Sequence, residues 1–266
     1  MSGSCGQLAV TGSAQASYGG TVSFTDFGGE GPALIFAHGW CGSQSFWTSQ
    51  IPSFSQHCRV VTLDMAGSGA SDPLPAGAGL LEMAQGILAV VDTLGLPQVT
   101  LIGHSMGGPV AVEAAIRLGA RCNRVIGVDT FTDPMFYCRR PDEEIASRVA
   151  AFSADFREVT EAMVVRTVRG GNQPAICRWI VQEMCGVNQM VALSTLRSLL
   201  EWDIEERWPL LRCAASTINS AELESDEAIP CLSRLPVVHI AGSGHFPMME
   251  CPEEFNKVLS AAIPRR

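Results

Sequence analysis

The sequence predicts an α/β fold in which a mostly parallel sheet is covered by helices. Short apolar runs of strand length alternate with longer stretches of helix length, which is the pattern of a parallel sheet with helices on both faces. Several runs are apolar without interruption, as expected for strands buried on both sides. The chain has 266 residues, of which 47% are hydrophobic and 17% charged. This is enough apolar material for one large α/β domain, with or without an insertion.

Taken in order, seven runs are predicted to be strands and five stretches around them to be helices. The strands are 21–27, 32–37, 59–63, 99–102, 124–128, 213–218 and 235–240. The helices are 43–54, 80–94, 109–118, 222–228 and 252–263. Because ligands bind at the carboxyl ends of parallel strands, the residues that follow these runs are the first candidates for a functional site.

The pattern changes between residues 134 and 211. Four amphipathic helical stretches occur there, at 143–156, 159–169, 175–184 and 187–202, without a strand of the core type. We therefore predict a core formed by residues 1–133 and 212–266, with a helical insertion at 134–211.

Composition excludes several classes of function. The net charge is −9 and there is no basic block, so no nucleic-acid partner is expected. The ten cysteines include no C-x-x-C pair and no zinc-finger spacing. Three abut apolar strand-like runs (Cys58, Cys122 and Cys213) and two lie in helix-like stretches (Cys177 and Cys185), so we predict no metal site and a reducing compartment. Residues 1–6 lack the basic and apolar regions of a signal peptide, and no apolar span is long enough to cross a membrane. These features predict a cytoplasmic protein.

A G-x-S-x-G pattern places Ser105 between the predicted strand 99–102 and the helix that follows. A serine on a tight strand-to-helix turn has a strained backbone, and glycines such as Gly103 and Gly107 are needed on both sides of it. The turn would expose the hydroxyl for nucleophilic attack. By itself the pattern also fits a glycine-bounded turn that happens to contain serine.

His245 lies in a glycine-rich loop directly after the last predicted strand. A histidine in this position can reach the strand ends, and its usual pKa near neutrality suits a general base for a serine hydroxyl. The alternative is a histidine on a surface loop. Of the others, His38 and His104 are interpreted as structural supports beside the site, and His57 and His239 as residues outside it.

Four motifs, in this order, resemble those of the α/β-hydrolase superfamily. They are His38-Gly39-Trp40-Cys41-Gly42, Asp64-Met65-Ala66-Gly67-Ser68-Gly69-Ala70-Ser71, Gly103-His104-Ser105-Met106-Gly107-Gly108 and Gly244-His245-Phe246. The resemblance implies the α/β-hydrolase fold, with a sheet of the eight-stranded type and a helical cap between core strands. It also implies Ser105 as nucleophile, His245 as base and the backbone N–H groups of Trp40 and Met106 as oxyanion donors, without a metal or an organic cofactor.

The acid that would orient His245 is less clearly marked. The family usually carries it after the strand that follows the cap, where Glu222 stands here, but the usual glycine is replaced by Asn219. Some relatives carry it at the end of the preceding core strand, where Asp129 stands, 24 residues after Ser105. We choose Asp129 and keep Glu222 as the alternative. The remaining candidates for this acid are Asp133, Glu224 and Asp226.

The expected activity is that of a serine esterase or lipase-like enzyme acting on a small-molecule carboxylic ester. A lactonase, a C–C bond hydrolase or a cofactor-free perhydrolase would use the same residues. A non-catalytic binder or receptor on this scaffold is the alternative from another class, although such proteins often lose the nucleophile or the base. The sequence leaves open whether the protein forms a homodimer.

Overall fold

An eight-stranded sheet forms the centre of the computed structural model, which describes residues 9–169, 173–222 and 228–263. Its strands are β1 (Val10–Gln15), β2 (Thr21–Asp26), β3 (Ala33–Ala37), β4 (Arg59–Leu63), β5 (Val99–His104), β6 (Cys122–Val128), β7 (Ala214–Ser220) and β8 (Val237–Ile240). They lie in the order β1-β2-β4-β3-β5-β6-β7-β8. The pairs β1–β2 and β2–β4 are antiparallel, and all the other pairs are parallel. The predicted fold class is confirmed.

Strand β1 is the one strand of the sheet that the sequence analysis did not predict. It contains Gly12, Ser13 and Gln15 and exposes most of its residues, so it lacks the apolar run that marks a buried strand. Its place in the fold comes from antiparallel pairing with β2 at the edge of the sheet.

The central strands β3, β5 and β6 are buried along nearly their whole length. Their register aligns Ala37 with Gly103, and Gly103 with Gly127, so that these three strands end at the same level. Residues that follow them are therefore close together in space.

Eleven α-helices, numbered along the described residues, complete the fold. They are α1 (Ile51–Phe54), α2 (Leu80–Thr93), α3 (Gly107–Leu118), α4 (Pro134–Tyr137), α5 (Asp142–Ala154), α6 (Phe156–Thr167), α7 (Pro174–Cys185), α8 (Gln189–Glu201), α9 (Ile204–Arg207), α10 (Pro247–Glu250) and α11 (Pro252–Ala262). Helices α2 and α3 pack on each other and on the sheet, while α11 packs on β7 and β8.

The single helix predicted at 43–54 is wrong. The structure has a short 3₁₀ helix at Gln44–Trp47 and then α1. Pro52 lacks the N–H that would bond to the carbonyl of Thr48, so it disfavours a continuous helix and is instead accommodated in the first turn of α1.

Helices α4 to α9 lie between β6 and β7, and the described residues from 134 to 211 contain no strand. Helix α5 packs on α6 and α8, α6 on α7, and α8 also contacts α2. The division into core (1–133 and 212–266) and insertion (134–211) stays a prediction. The short helix predicted at 222–228 falls largely outside the described residues. Among the helices described, none has the length and apolar character needed to cross a membrane.

Candidate active site

The carboxyl ends of β3, β5, β6 and β8 each deliver one part of the candidate site. His38 and Trp40 follow β3, Ser105 follows β5, Asp129 follows β6, and His245 lies in the loop after β8. Two of these backbones are joined directly, because the N–H of Ser105 donates to the carbonyl of Val128 at 3.0 Å.

Ser105 has the backbone strain that the G-x-S-x-G pattern predicts. Its φ is +50°, a value that residues other than glycine rarely adopt. A Cβ on Gly103 would lie 2.2 Å from the carbonyl oxygen of Gly107, and one on Gly107 would lie 2.5 Å from that of His38. The two glycines are therefore required by backbone contact. The turn leads into α3, which begins at Gly107 and whose N-terminal end favours negative charge.

His245 and Asp129 are in direct contact. The imidazole Nδ1 lies 2.6 Å from Oδ2 of Asp129, and the other carboxylate oxygen accepts the N–H of Ser220 at 2.7 Å. The side chain of Asp129 is 9% exposed and that of His245 is 25% exposed. Asp129 also has a positive φ, +47°, so its backbone is constrained where its carboxylate meets the histidine.

The alternative acids have other partners where the structure describes them. The carboxylate of Glu222 lies 3.0 Å from Nε of Arg169, with both side chains substantially exposed. Asp133 caps α4 by accepting the N–H of Met135. Glu224 and Asp226 lie outside the described residues.

The two histidines interpreted as supports are buried and hold neighbouring backbone. Nδ1 of His38 lies 2.8 Å from the carbonyl of Gly39, and its Nε2 accepts the N–H of Met65. Nε2 of His104 lies 2.7 Å from the carbonyl of His245. Burial lowers the pKa of both imidazoles, and in His104 the neighbouring His245 lowers it further. Both side chains are therefore expected to be neutral near pH 7.

Trp40 and Met106 are both buried. Met106 follows Ser105, and Trp40 follows Gly39, where an added Cβ would lie 3.3 Å from that of Ser105. No hydrogen bond to another described residue joins the backbone N–H of either Trp40 or Met106. Such N–H groups are free to donate to an oxyanion. The indole of Trp40 is itself held by a 2.9 Å hydrogen bond to the carbonyl of Ala192 in α8.

Tyr137 was not singled out by the sequence analysis, yet it belongs to this site. It ends α4, is 4% exposed, and its hydroxyl lies close enough to the side chains of Thr130 and Ser105 for both to influence its pKa. Burial, followed by the charge of Asp129, raises the pKa of the Tyr137 hydroxyl. No local motif marks such a residue, because its contact with Ser105 is made across a separate helix.

A possible set of metal ligands lies among the helices between β6 and β7. The ligand atoms of Cys138, Asp203 and Glu205 lie within 4.8 Å of one another. Exposed acidic groups often cluster without binding an ion, so we assign no metal role to them.

Comparisons with known proteins agree with the architecture. A family model described as the alpha/beta hydrolase fold matches residues 32–162. A protein of Stutzerimonas stutzeri that is provisionally named carbamate hydrolase RutD is 31% identical to this chain over 106 residues, which span 40% of each of the two chains. The strigolactone esterase D14 of Arabidopsis thaliana is 23% identical over 256 residues, covering 89% of this chain and 94% of its own.

Among solved structures, the enol-lactonase of Burkholderia xenovorans LB400 superimposes with a TM-score of 0.81. The match covers 94% of this chain and 98% of the enol-lactonase at 19% sequence identity, a level that bears on the fold alone. The family model and the sheet topology agree with this match, and the chain belongs to the α/β-hydrolase superfamily and has the α/β-hydrolase fold.

Proposed function

We propose that this hydrolase cleaves carboxylic esters through an acyl-enzyme intermediate on Ser105. The observation that carries the proposal is the contact between Asp129 and His245 at the strand ends where Ser105 stands on its strained turn. A nucleophile, a base and a group that orients the base form the combination that acyl transfer requires.

In the first half of the reaction, Oγ of Ser105 attacks the ester carbonyl and its proton passes to Nε2 of His245. Asp129 accepts the hydrogen bond from Nδ1 and stabilises the imidazolium that forms. The carbonyl oxygen becomes an oxyanion, for which the N–H groups of Trp40 and Met106 are the donors. When the intermediate collapses, the imidazolium gives its proton to the leaving alcohol and the acyl group stays on Ser105.

In the second half, water takes the place of the alcohol. His245 removes a proton from the water, which attacks the acyl carbon and forms a second oxyanion in the same position. Collapse releases the carboxylic acid and returns the proton to Ser105.

The surroundings of Trp40 favour a substrate with some apolar character. Its ring centroid lies 4.9 Å from that of Phe152 and 5.8 Å from that of Phe156, both in edge-on contact. These phenylalanines belong to α5 and α6, so two helices of the insertion form an apolar surface against Trp40.

The proposed location is cytoplasmic and the proposed partner is the small-molecule substrate. The nine cysteines in the described ranges are all free thiols, as is usual in a reducing compartment.

The experiment compares the wild type with Ser105→Ala on short p-nitrophenyl esters and with a fluorophosphonate probe. We expect hydrolysis and labelling by the wild type, and loss of both in the variant. Labelling that persists in Ser105→Ala would remove Ser105 from the mechanism. A wild type that is inert to activated esters but binds a small molecule tightly would favour a non-catalytic binder. Turnover of lactones or of vinylogous diketones, tested as a panel, would instead favour a lactonase or a C–C bond hydrolase.

A further inference from the structure

The loop that carries His245 is held by a buried carboxylate outside the proposed catalytic group. Glu250, at the end of α10, is 9% exposed. Its Oε1 accepts the N–H of Phe246 at 3.0 Å, and its Oε2 accepts the N–H of Gly244 at the same distance. The two residues on either side of His245 are therefore fixed by one side chain.

The same carboxylate reaches the helical insertion. Its Oε2 also accepts the N–H of Arg169 at 2.9 Å, just after α6. His245 makes a parallel contact, because its own N–H donates to the carbonyl of Thr167, the last residue of α6, at 2.7 Å. The N–H groups of three consecutive loop residues thus bind either Glu250 or the end of α6.

The fit between the loop and α6 is close. A Cβ on Gly244 would lie 2.0 Å from the carbonyl oxygen of Thr167. The guanidinium of Arg169 adds a 2.9 Å hydrogen bond to the carbonyl of Gly242. A shift of α6 would therefore be transmitted to the backbone of His245.

We infer that Glu250 is a positioning residue that sets the place of His245 and couples it to the end of α6. The inference rests on the proposed function, since it assigns His245 the role of base. An ionised carboxylate is suited to this task because it only accepts hydrogen bonds, and all three of its partners are N–H donors. An amide in its place would turn an NH₂ group towards at least one N–H.

The test is Glu250→Gln, with Glu253→Gln as the matched control. Glu253 lies three residues after Glu250, in the first turn of α11, and is exposed. For Glu250→Gln we expect kcat on a p-nitrophenyl ester to fall about 10–100-fold with KM within about twofold of the wild type, since small displacements of a catalytic group have costs of this size. Glu253→Gln should match the wild type in both constants.

A second readout separates positioning from a general loss of stability. Hydrogen exchange should become faster in Glu250→Gln both in peptides covering 242–247 and in peptides covering 163–169, with the remaining core strands unchanged. Wild-type kcat in a folded Glu250→Gln would overturn the inference. It would also be overturned if the loss of kcat matched the loss of active sites counted by titration, or if exchange rose across the whole sheet.

Failure of the proposed function gives a different result. In that case the wild type itself shows no ester turnover and no labelling at Ser105, while the exchange experiment still reports whether Glu250 joins the two segments.

Discussion

Oδ2 of Asp129 lies 2.6 Å from Nδ1 of His245, although β7 separates the strands that carry them. The contact is possible because the loop after β8 returns across the end of β7. Ser220, the last residue of β7, donates its N–H to Oδ1 of Asp129 and so holds the carboxylate oxygen that does not contact the histidine. This relationship separates Asp129 from Asp133 and Glu222, the other candidate acids that the structure describes.

Replacing Asp129 by Asn is expected to lower kcat by about 10⁴-fold, because an amide neither fixes the correct tautomer of His245 nor stabilises its cation. Glu222→Gln, which removes the ion pair with Arg169, should stay within about twofold of the wild type. Steady-state kinetics on one ester compares both variants. The opposite ranking would transfer the role of the acid to Glu222.

Tyr137→Phe removes one hydroxyl beside Ser105 and keeps the ring that packs on Phe131 at 6.3 Å. A single neutral hydrogen bond is worth about 0.5–1.5 kcal/mol, so we expect kcat/KM to change about 2–10-fold. Because burial raises the pKa of Tyr137, its hydroxyl should stay protonated and the high-pH limb of the rate profile should be the same in both proteins. If the wild type lost activity at high pH and Tyr137→Phe did not, this account would be contradicted.

Gly103→Ala tests the close backbone contact beneath the nucleophile. The added Cβ would lie 2.2 Å from the carbonyl oxygen of Gly107, so the turn must open. We expect a loss of about 3 kcal/mol in the free energy of unfolding, together with loss of probe labelling. Gly186→Ala is the control, since its nearest neighbouring atom would be 3.3 Å away. Equal stability of the two variants in urea denaturation would show that the turn tolerates a side chain.

The buried carboxylate of Glu113, in α3, should make the stability of the protein depend on pH. It receives hydrogen bonds from Arg207 at 2.6 and 2.8 Å, from Arg117 at 2.7 Å and from Trp202 at 2.9 Å. Burial opposes its ionisation, but the bonds from Arg207, Arg117 and Trp202 outweigh burial and lower the pKa of Glu113 below its usual value of 4.5.

A lowered folded-state pKa means that Glu113 contributes stability above pH 4.5, and that this contribution is lost as the pH falls through the folded-state value. Glu113→Gln should therefore lower the free energy of unfolding by about 3 kcal/mol at pH 7. The difference in this free energy between the variant and the wild type should become smaller as the pH falls below 4.5. Urea denaturation across this range measures the difference. Glu161→Gln, at an exposed position of α6, should show no such difference.

The core of the fold was predictable because its strands are buried on both faces. Strand β3 is apolar at every position, and it was placed within one residue of its observed start. Strand β1 could not be found in this way, because its place depends on pairing with β2 and not on burial of its own side chains.

The positions of Ser105 and His245, the proposed nucleophile and base, were predictable because the backbone contacts beside them demand glycine, as at Gly103, Gly107 and Gly244. For the acid, the sequence left a choice between Asp129 and Glu222, because a carboxylate can reach His245 without any particular residue type beside it. Tyr137 and Glu250 act across elements far apart in the sequence, so no spacing reveals their contacts with Ser105 and the loop of His245.

The most direct test of the central claim is to trap the acyl-enzyme. The wild type is mixed with excess p-nitrophenyl acetate, quenched in acid within milliseconds, digested and analysed by mass spectrometry. The account predicts a burst of p-nitrophenol equal to the enzyme concentration and an acetyl group on the peptide that contains Ser105. Rapid hydrolysis with that peptide unmodified, or with the acetyl group on another residue, would contradict it.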